Sequence, residues 1–201
     1  NLTSLDLSGF NTSKVTSMSA MFYRNSSLTS LDLSNFDTSN VTDMSSMFCN
    51  TSNLTSLNLS GFVTSEVTTM NSMFYDNNLA SLDLSSFYTP KVTDMCNMFT
   101  NDSELTNLDL SNFDTSKITN MDYMFSGVHK LQSITLASTF KFVGTKSGFM
   151  LFLEDGIEAS LFLKKDGSSK AYTPENFITN YGTGDLTAGT YIGTRNAELS
   201  F

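Results

Sequence analysis

The stretch Leu28-Thr-Ser-Leu31-Asp-Leu33-Ser-Asn-Phe36-Asp-Thr38-Ser-Asn-Val41-Thr-Asp-Met44-Ser-Ser-Met47-Phe48 decides the fold, because the chain writes it out five times with small variations. Its opening leucine recurs at Leu2, Leu28, Leu54, Leu79 and Leu105, and at Leu131 in a degenerate sixth copy, in steps of 25 or 26 residues. A fixed period of this size marks a solenoid, in which each unit stacks on the last and none buries its apolar face alone. Solenoids display surfaces more often than they enclose reaction chambers.

Each copy opens Leu-x-x-Leu-x-Leu. Strand side chains alternate, so Leu31 and Leu33 face the core while Ser30, Asp32 and Ser34 face outward. A short helix is expected to follow. In the fourth copy Thr89 precedes Pro90, and proline favours the first helical position, which makes Thr89 the N-cap. Thr12, Thr38, Thr64 and Thr115 occupy the same slot. Val41, Met44, Met47 and Phe48 then fall on one helical face. The methionine columns read as core packing by a flexible side chain. The linker Cys49-Asn-Thr-Ser-Asn53 reads as a polar turn. These features predict an α/β solenoid: a right-handed array with parallel strands on its concave face, short helices on its convex face and a β-rich C-terminal cap.

The array is expected over residues 1–139 and the cap over 140–201. After Leu136 the period is lost. Residues 149–153 and 157–163 read as strands around Asp155-Gly156, and Asp166-Gly167 as a second turn. Thr173-Pro174-Glu175 should begin a helix that Gly182 ends, and Thr190-Tyr-Ile-Gly a last strand. An open end exposes apolar side chains and unpaired edge, hence the need for a cap.

The 201 residues carry a net charge of −9, with one histidine, His129, and no tryptophan. An acidic array repels phosphate backbones, so nucleic acid is not an expected partner. No stretch is long or apolar enough to insert in a membrane. Cys49 and Cys96 lie two copies apart, about 10 Å at strand spacing. That exceeds the roughly 7 Å limit for a disulfide, so both should be free thiols. The chain opens at Asn1 directly before a leucine, as expected of a piece of a longer array.

The outward strand positions form columns: Ser4, Ser30, Ser56, Ser81, Asn107; Asp6, Asp32, Asn58, Asp83, Asp109; and Ser8, Ser34, Ser60, Ser85, Ser111. Stacked carboxylates repel. Neighbouring hydroxyl donors, bound cations, raised pKa values or a partner must offset this. The columns therefore read as a solvated face, as a surface for a protein or glycan, or as a calcium track that is short of the six to eight oxygens the ion needs. The candidate binding residues are Ser30, Asp32, Ser34, Ser56, Asn58, Ser81, Asp83, Asn107 and Asp109, with Tyr88 on the flank, where Tyr123 and Lys91 are its expected companions. No metal or cofactor is called for. No nucleophile, phosphate loop or divided carboxylate pair suggests an enzyme.

The repeat resembles the leucine-rich repeats of the BspA type, in the subgroup reading Leu-x-x-Leu-Asp-Leu-Ser-x-Phe-Asp-Thr-Ser-x-Val-Thr-x-Met-x-x-Met-Phe, over about residues 1–140. The segments Ser169–Gly182 and Leu186–Ile192 look like the closing part of such arrays. The resemblance implies an extracellular bacterial cell-surface protein that adheres to a host or neighbouring-cell protein or glycan, and the chain is expected to be a monomer. A structural spacer in a larger surface protein is the other expectation.

Overall fold

The computed structural model describes residues 2–144 and 161–195. Leu31 and Leu33 are buried and Ser30, Asp32 and Ser34 exposed, as the strand alternation requires. Strand β1 (Ser30–Asp32) lies parallel to β2 (Ser56–Asn58), with Leu31 opposite Leu57 and Asp32 opposite Asn58. Strands β3 (Asn107–Leu110) and β4 (Ser133–Leu136) pair the same way, with Asp109 opposite Thr135. On the strand face the fourth copy contributes the bridge Ser81 to Asn107. Equivalent residues of successive copies therefore sit one strand spacing apart.

The expected helix after each strand is not there. Among the described residues of the array no α-helix occurs, and residues 45–50 form a chain of turns after the bridge residue Asp43. Their amides alternate in direction. The N–H groups of Met44, Ser46, Phe48 and Asn50 donate to Thr69, Asn71, Met73 and Tyr75 carbonyls of the next copy, at 2.8–3.1 Å. Those of Met47 and Cys49 close turns within the copy, onto Met44 and Ser46. Ser46 (φ 55°) and Asn50 (φ 59°) are left-handed, which breaks any helix. A helix this short gains few bonds for its nucleation cost, whereas stacking satisfies these amides in every copy. The result is a second parallel ladder through Ser17, Asp43, Thr69, Asp94 and Asn120.

The threonines assigned as helix caps are bridges between copies. Thr38 Oγ1 donates to Val63 O (2.9 Å) and accepts from Val63 N (2.7 Å). Thr64 holds Tyr88 in the same way (2.7 and 2.8 Å), and Thr89 holds Asp114 (3.0 and 2.9 Å). All three are buried. Pro90 is the second residue of the turn closed by Val92 N to Thr89 O. That position demands the same φ as the first turn of a helix, so the misreading has a common cause.

The core is built from stacked identical side chains. Phe22, Phe48, Phe74, Phe99 and Phe125 form one column, with centroids 5.6–6.0 Å apart and nearly parallel rings. Phe62, Phe87 and Phe113 form another, at 6.2 and 6.3 Å. Met44, Met47, Met70, Met73, Met95, Met98, Met121 and Met124 are fully buried beside them, as core packing requires. Cys49 and Cys96 are free thiols.

Beyond the array, β5 (Leu161–Lys165), β6 (Ala171–Tyr172), α1 (Pro174–Asn180) and β7 (Gly189–Arg195) extend the last sheet in the order β3-β4-β7-β5-β6. Strand β7 runs antiparallel along the outer edge of β4, pairing Ile134 with Tyr191. Thr173 caps α1, accepting from Asn176 N, with proline in the first turn. Phe177, Tyr181 and Tyr191 pack edge-on against one another, and Tyr181 and Phe142 do so against Phe140. The expected turn at 166–167 is present. The expected hairpin around Asp155-Gly156 lies outside the described residues, save for 161–163 in β5.

Candidate functional site

Each residue of the central outward column is held by the turn that follows its strand. Asp32 Oδ1 accepts the Ser34 N–H at 3.0 Å, Asp83 that of Ser85 at 2.9 Å, and Asp109 that of Ser111 at 2.9 Å. Asn58 does the same for Ser60 at 3.2 Å, so the break in the carboxylate ladder keeps the geometry. The Ser34 N–H and then its hydroxyl hold Asp32 below the usual carboxylate range, and Ser85 does likewise for Asp83. At Asp6 the Ser8 hydroxyl leads and its N–H follows. Of the ways to offset ladder repulsion, the structure therefore uses serine donors, and it does not raise these three pKa values. The lowered pKa values keep Asp6, Asp32 and Asp83 ionised at neutral pH, and the Asn58 side chain adds a further hydrogen bond to Asp32.

Four of the expected residues come together. Ser81, Asp83, Asn107 and Asp109 line a groove of about 280 Å³ that Ser133 and Thr135 complete. The Ser133 hydroxyl donates to Asn107 Oδ1 at 2.6 Å, and Thr135 meets Thr190 of β7 at 2.9 Å, so the C-terminal segment borders this groove. Ser30, Asp32, Ser34, Ser56 and Asn58 are exposed on the β1–β2 sheet and do not line it.

Tyr88 lines a neighbouring groove of about 460 Å³ with Ser85, Ser111, Asn112 and Asp114. Tyr88 is 54% exposed. Asn112 Nδ2 fixes one wall by donating to Ser85 O at 2.9 Å. The expected companions are elsewhere: Lys91 pairs with Glu66 at 2.6 Å, and Tyr123 is not part of the lining. Tyr88 thus projects beside the strand face with serine, amide and carboxylate groups around it.

Sequence reasoning missed one buried group. Asp102 lies in the linker, where solvent was expected, yet it is 2% exposed. Thr51, Asn77 and Asp102 occupy the same slot in successive copies, and all three are buried. Thr51 bonds the Asn77 side chain, and Asn77 N donates to Asp102 Oδ1 at 2.9 Å. Burial pushes the Asp102 carboxyl well above its usual range, and the Asn77 N–H only partly opposes this. The signal in the sequence was a short polar column, Thr51, Asn77, Asp102, inside a segment read as loop. Among the described residues no cluster of three His, Cys, Asp or Glu side chains could hold a metal.

Two segments, residues 1–81 and 77–138, match the model of a family described as Mycoplasma protein of unknown function, DUF285. The chain belongs to this family. The two matches of the DUF285 model cover the stacked copies and stop beyond β4, so β5, α1 and β7 lie outside them. No curated protein and no solved structure matches the chain. Among the described residues no helix is long and apolar enough to cross a membrane.

Proposed function

We propose that this DUF285 chain is a non-catalytic adhesion module of a bacterial cell surface. In this reading the copies form a right-handed solenoid of the BspA leucine-rich-repeat type, and a protein or glycan of a host or neighbouring cell binds its strand face. The carrying observation is the groove of Ser81, Asp83, Asn107 and Asp109, with Tyr88 exposed beside it. Turn hydrogen bonds pre-position Asp83 and Asp109, so a partner orders little of these two side chains on binding. Asp83, whose pKa the Ser85 turn lowers, is ionised, and both Asp83 and Asp109 stand exposed on the groove, which suits basic protein groups or sugar hydroxyls. The exposed aromatic ring supplies the anchor such interfaces need.

The test is a binding screen of the purified chain against mucins, matrix proteins and host-cell glycans, each with calcium and with chelator. The variant that reads it carries Asp32→Asn, Asp83→Asn and Asp109→Asn. Asn58 shows that asparagine keeps the turn, so this variant stays folded. Saturable binding that the variant loses carries the adhesion reading. A screen with no micromolar ligand overturns it in favour of a spacer.

A further inference from the structure

The turn ladder carries a groove that the strand face does not explain. It has a volume of about 470 Å³ and crosses the first three copies. Tyr23, Cys49 and Tyr75 occupy the same slot in these copies and line it. Each follows a phenylalanine of the stacked core column, Phe22, Phe48 or Phe74, which anchors its backbone. Cys49 is recessed at 6% exposure, while Tyr23 stands out at 40% and Tyr75 is half-buried. The result is two aromatic walls with a slot between them. Ala20, Ser46 and Ser72 complete the lining, and all three are left-handed (φ 54–56°). Their small side chains leave the groove open.

The variation itself is informative. The same slot holds Thr100 and Ser126 in the next two copies, so packing does not demand tyrosine there. The rim is polar. The Arg24 guanidinium lies over the Tyr23 ring, 5.0 Å from its centre, as a cation–π contact, and Asn50 Nδ2 points at Cys49 Sγ (3.0 Å). Asp76 follows Tyr75 and, like Arg24, is close enough for its charge to act on the Cys49 thiol, which burial chiefly raises and keeps neutral.

We propose that this groove binds a neutral β-1,4-linked pyranoside chain laid along the stacking direction, with every second sugar ring resting on Tyr23 or Tyr75. The two tyrosines are two copies apart, roughly 10 Å at strand spacing. A β-1,4-linked chain turns each successive ring over and presents the same face at a closely similar interval. The apolar face of a sugar suits a tyrosine ring, whose polar end stays wet. The intervening sugar faces the slot over Cys49, and Arg24, Asn50 and Asp76 meet hydroxyls at the rim. The net charge of −9 disfavours an acidic polymer, which selects the neutral chain. This site is separate from the strand face, and its fate does not depend on that of the adhesion reading.

Isothermal titration with cellohexaose and chitohexaose tests it. At least one should bind saturably. Tyr23→Ala and Tyr75→Ala should each weaken binding by about tenfold or more, the loss of one stacked ring. Tyr75→Phe should retain it, and Val63→Ser, at an exposed site outside the groove, should leave it unchanged. Melting temperatures of the exposed-residue variants confirm that they are folded. Absence of binding at millimolar oligosaccharide, or wild-type affinity in both alanine variants, overturns the proposal. So does a proline-rich peptide that binds through these tyrosines when the sugars do not.

Discussion

At Asp102 a single carboxyl sets a pH dependence opposite to that of the surface aspartates. Its folded pKa lies well above the usual value, so the folded chain keeps a proton that the unfolded chain releases. Its contribution is complete below about 3.9, the unfolded value, and is lost as pH rises towards the folded pKa. Asp6, Asp32 and Asp83, held low by Ser8, Ser34 and Ser85, contribute stability above the unfolded value that falls away in acid. Asp102→Asn removes only the first effect. The difference in urea midpoint between variant and wild type should shift in the variant's favour as pH rises from 4 to 8. A flat difference would show that Asp102 is not protonated in the fold. The threonine bridges make a sharper demand. Thr64→Val keeps the shape but strips the part-buried Tyr88 N–H and carbonyl of their partner, which should cost about 1 kcal/mol or more in urea unfolding. Thr64→Ser keeps the hydroxyl and should recover most of that loss.

At the scale of elements, the strand was legible and the helix was not, for a physical reason. Alternation with period two marks Leu31 and Leu33 as buried whatever their neighbours do. The spacing Val41, Met44, Met47, Phe48 marks a buried face but does not say whether the amides bond within the copy or across copies. Turns closed by i to i+3 bonds bring residues three apart to one side much as a helical turn does. Cross-copy bonding needs the neighbouring copy in place, so no local pattern announces it. The candidate site divides along the same line. Outward exposure of Ser81, Asp83, Asn107 and Asp109 followed from the alternation, but their shared groove depends on copies meeting side by side. The Tyr23 and Tyr75 pair was visible as letters, yet it lay in a linker read as plain turn. Far-UV circular dichroism checks the turn assignment. The described helix is limited to the seven residues of α1, so the spectrum should lack a strong helical double minimum. A spectrum with a helix for every copy would restore the original expectation.

For the whole molecule, the two ends of the array are unlike, and stability should be unequal there. At one end β7 pairs with β4, Gly193 N donates to Gln132 O at 2.9 Å, and Tyr181 Oη donates to Ala137 O at 3.0 Å. Phe177, Tyr181, Leu186 and Tyr191 bury themselves in the same core as Phe140. At the other end the repeat positions that stacking buries stand open. Leu2 is 63% exposed where Leu28 is 1%, Phe10 57% where Phe36 is 2%, and Met21 39% where Met47 is 0%. The carbonyls of Ser17, Ser19, Met21 and Tyr23 occupy the places whose counterparts at Asp43, Ser45, Met47 and Cys49 accept amides from the preceding copy. That edge therefore presents acceptors to match the donors on the far side of a repeat. Fusing one more copy, with the sequence of residues 28–53, ahead of Leu2 should cover these side chains. Covering each fully exposed one contributes about 1.5–3 kcal/mol, and the three here are partly exposed. Neighbouring copies contribute to stability through their interface. The fused chain should accordingly show a higher urea midpoint and a steeper unfolding slope, since more surface is buried as one cooperative unit. Removal of residues 141–201 should do the reverse, because it exposes the edge of β4 and the ring of Phe140 together. If the added copy left the midpoint unchanged while the deletion lowered it, the donors and acceptors at the first edge would not be in stacking register, and the exposed leucine and phenylalanine would need another explanation.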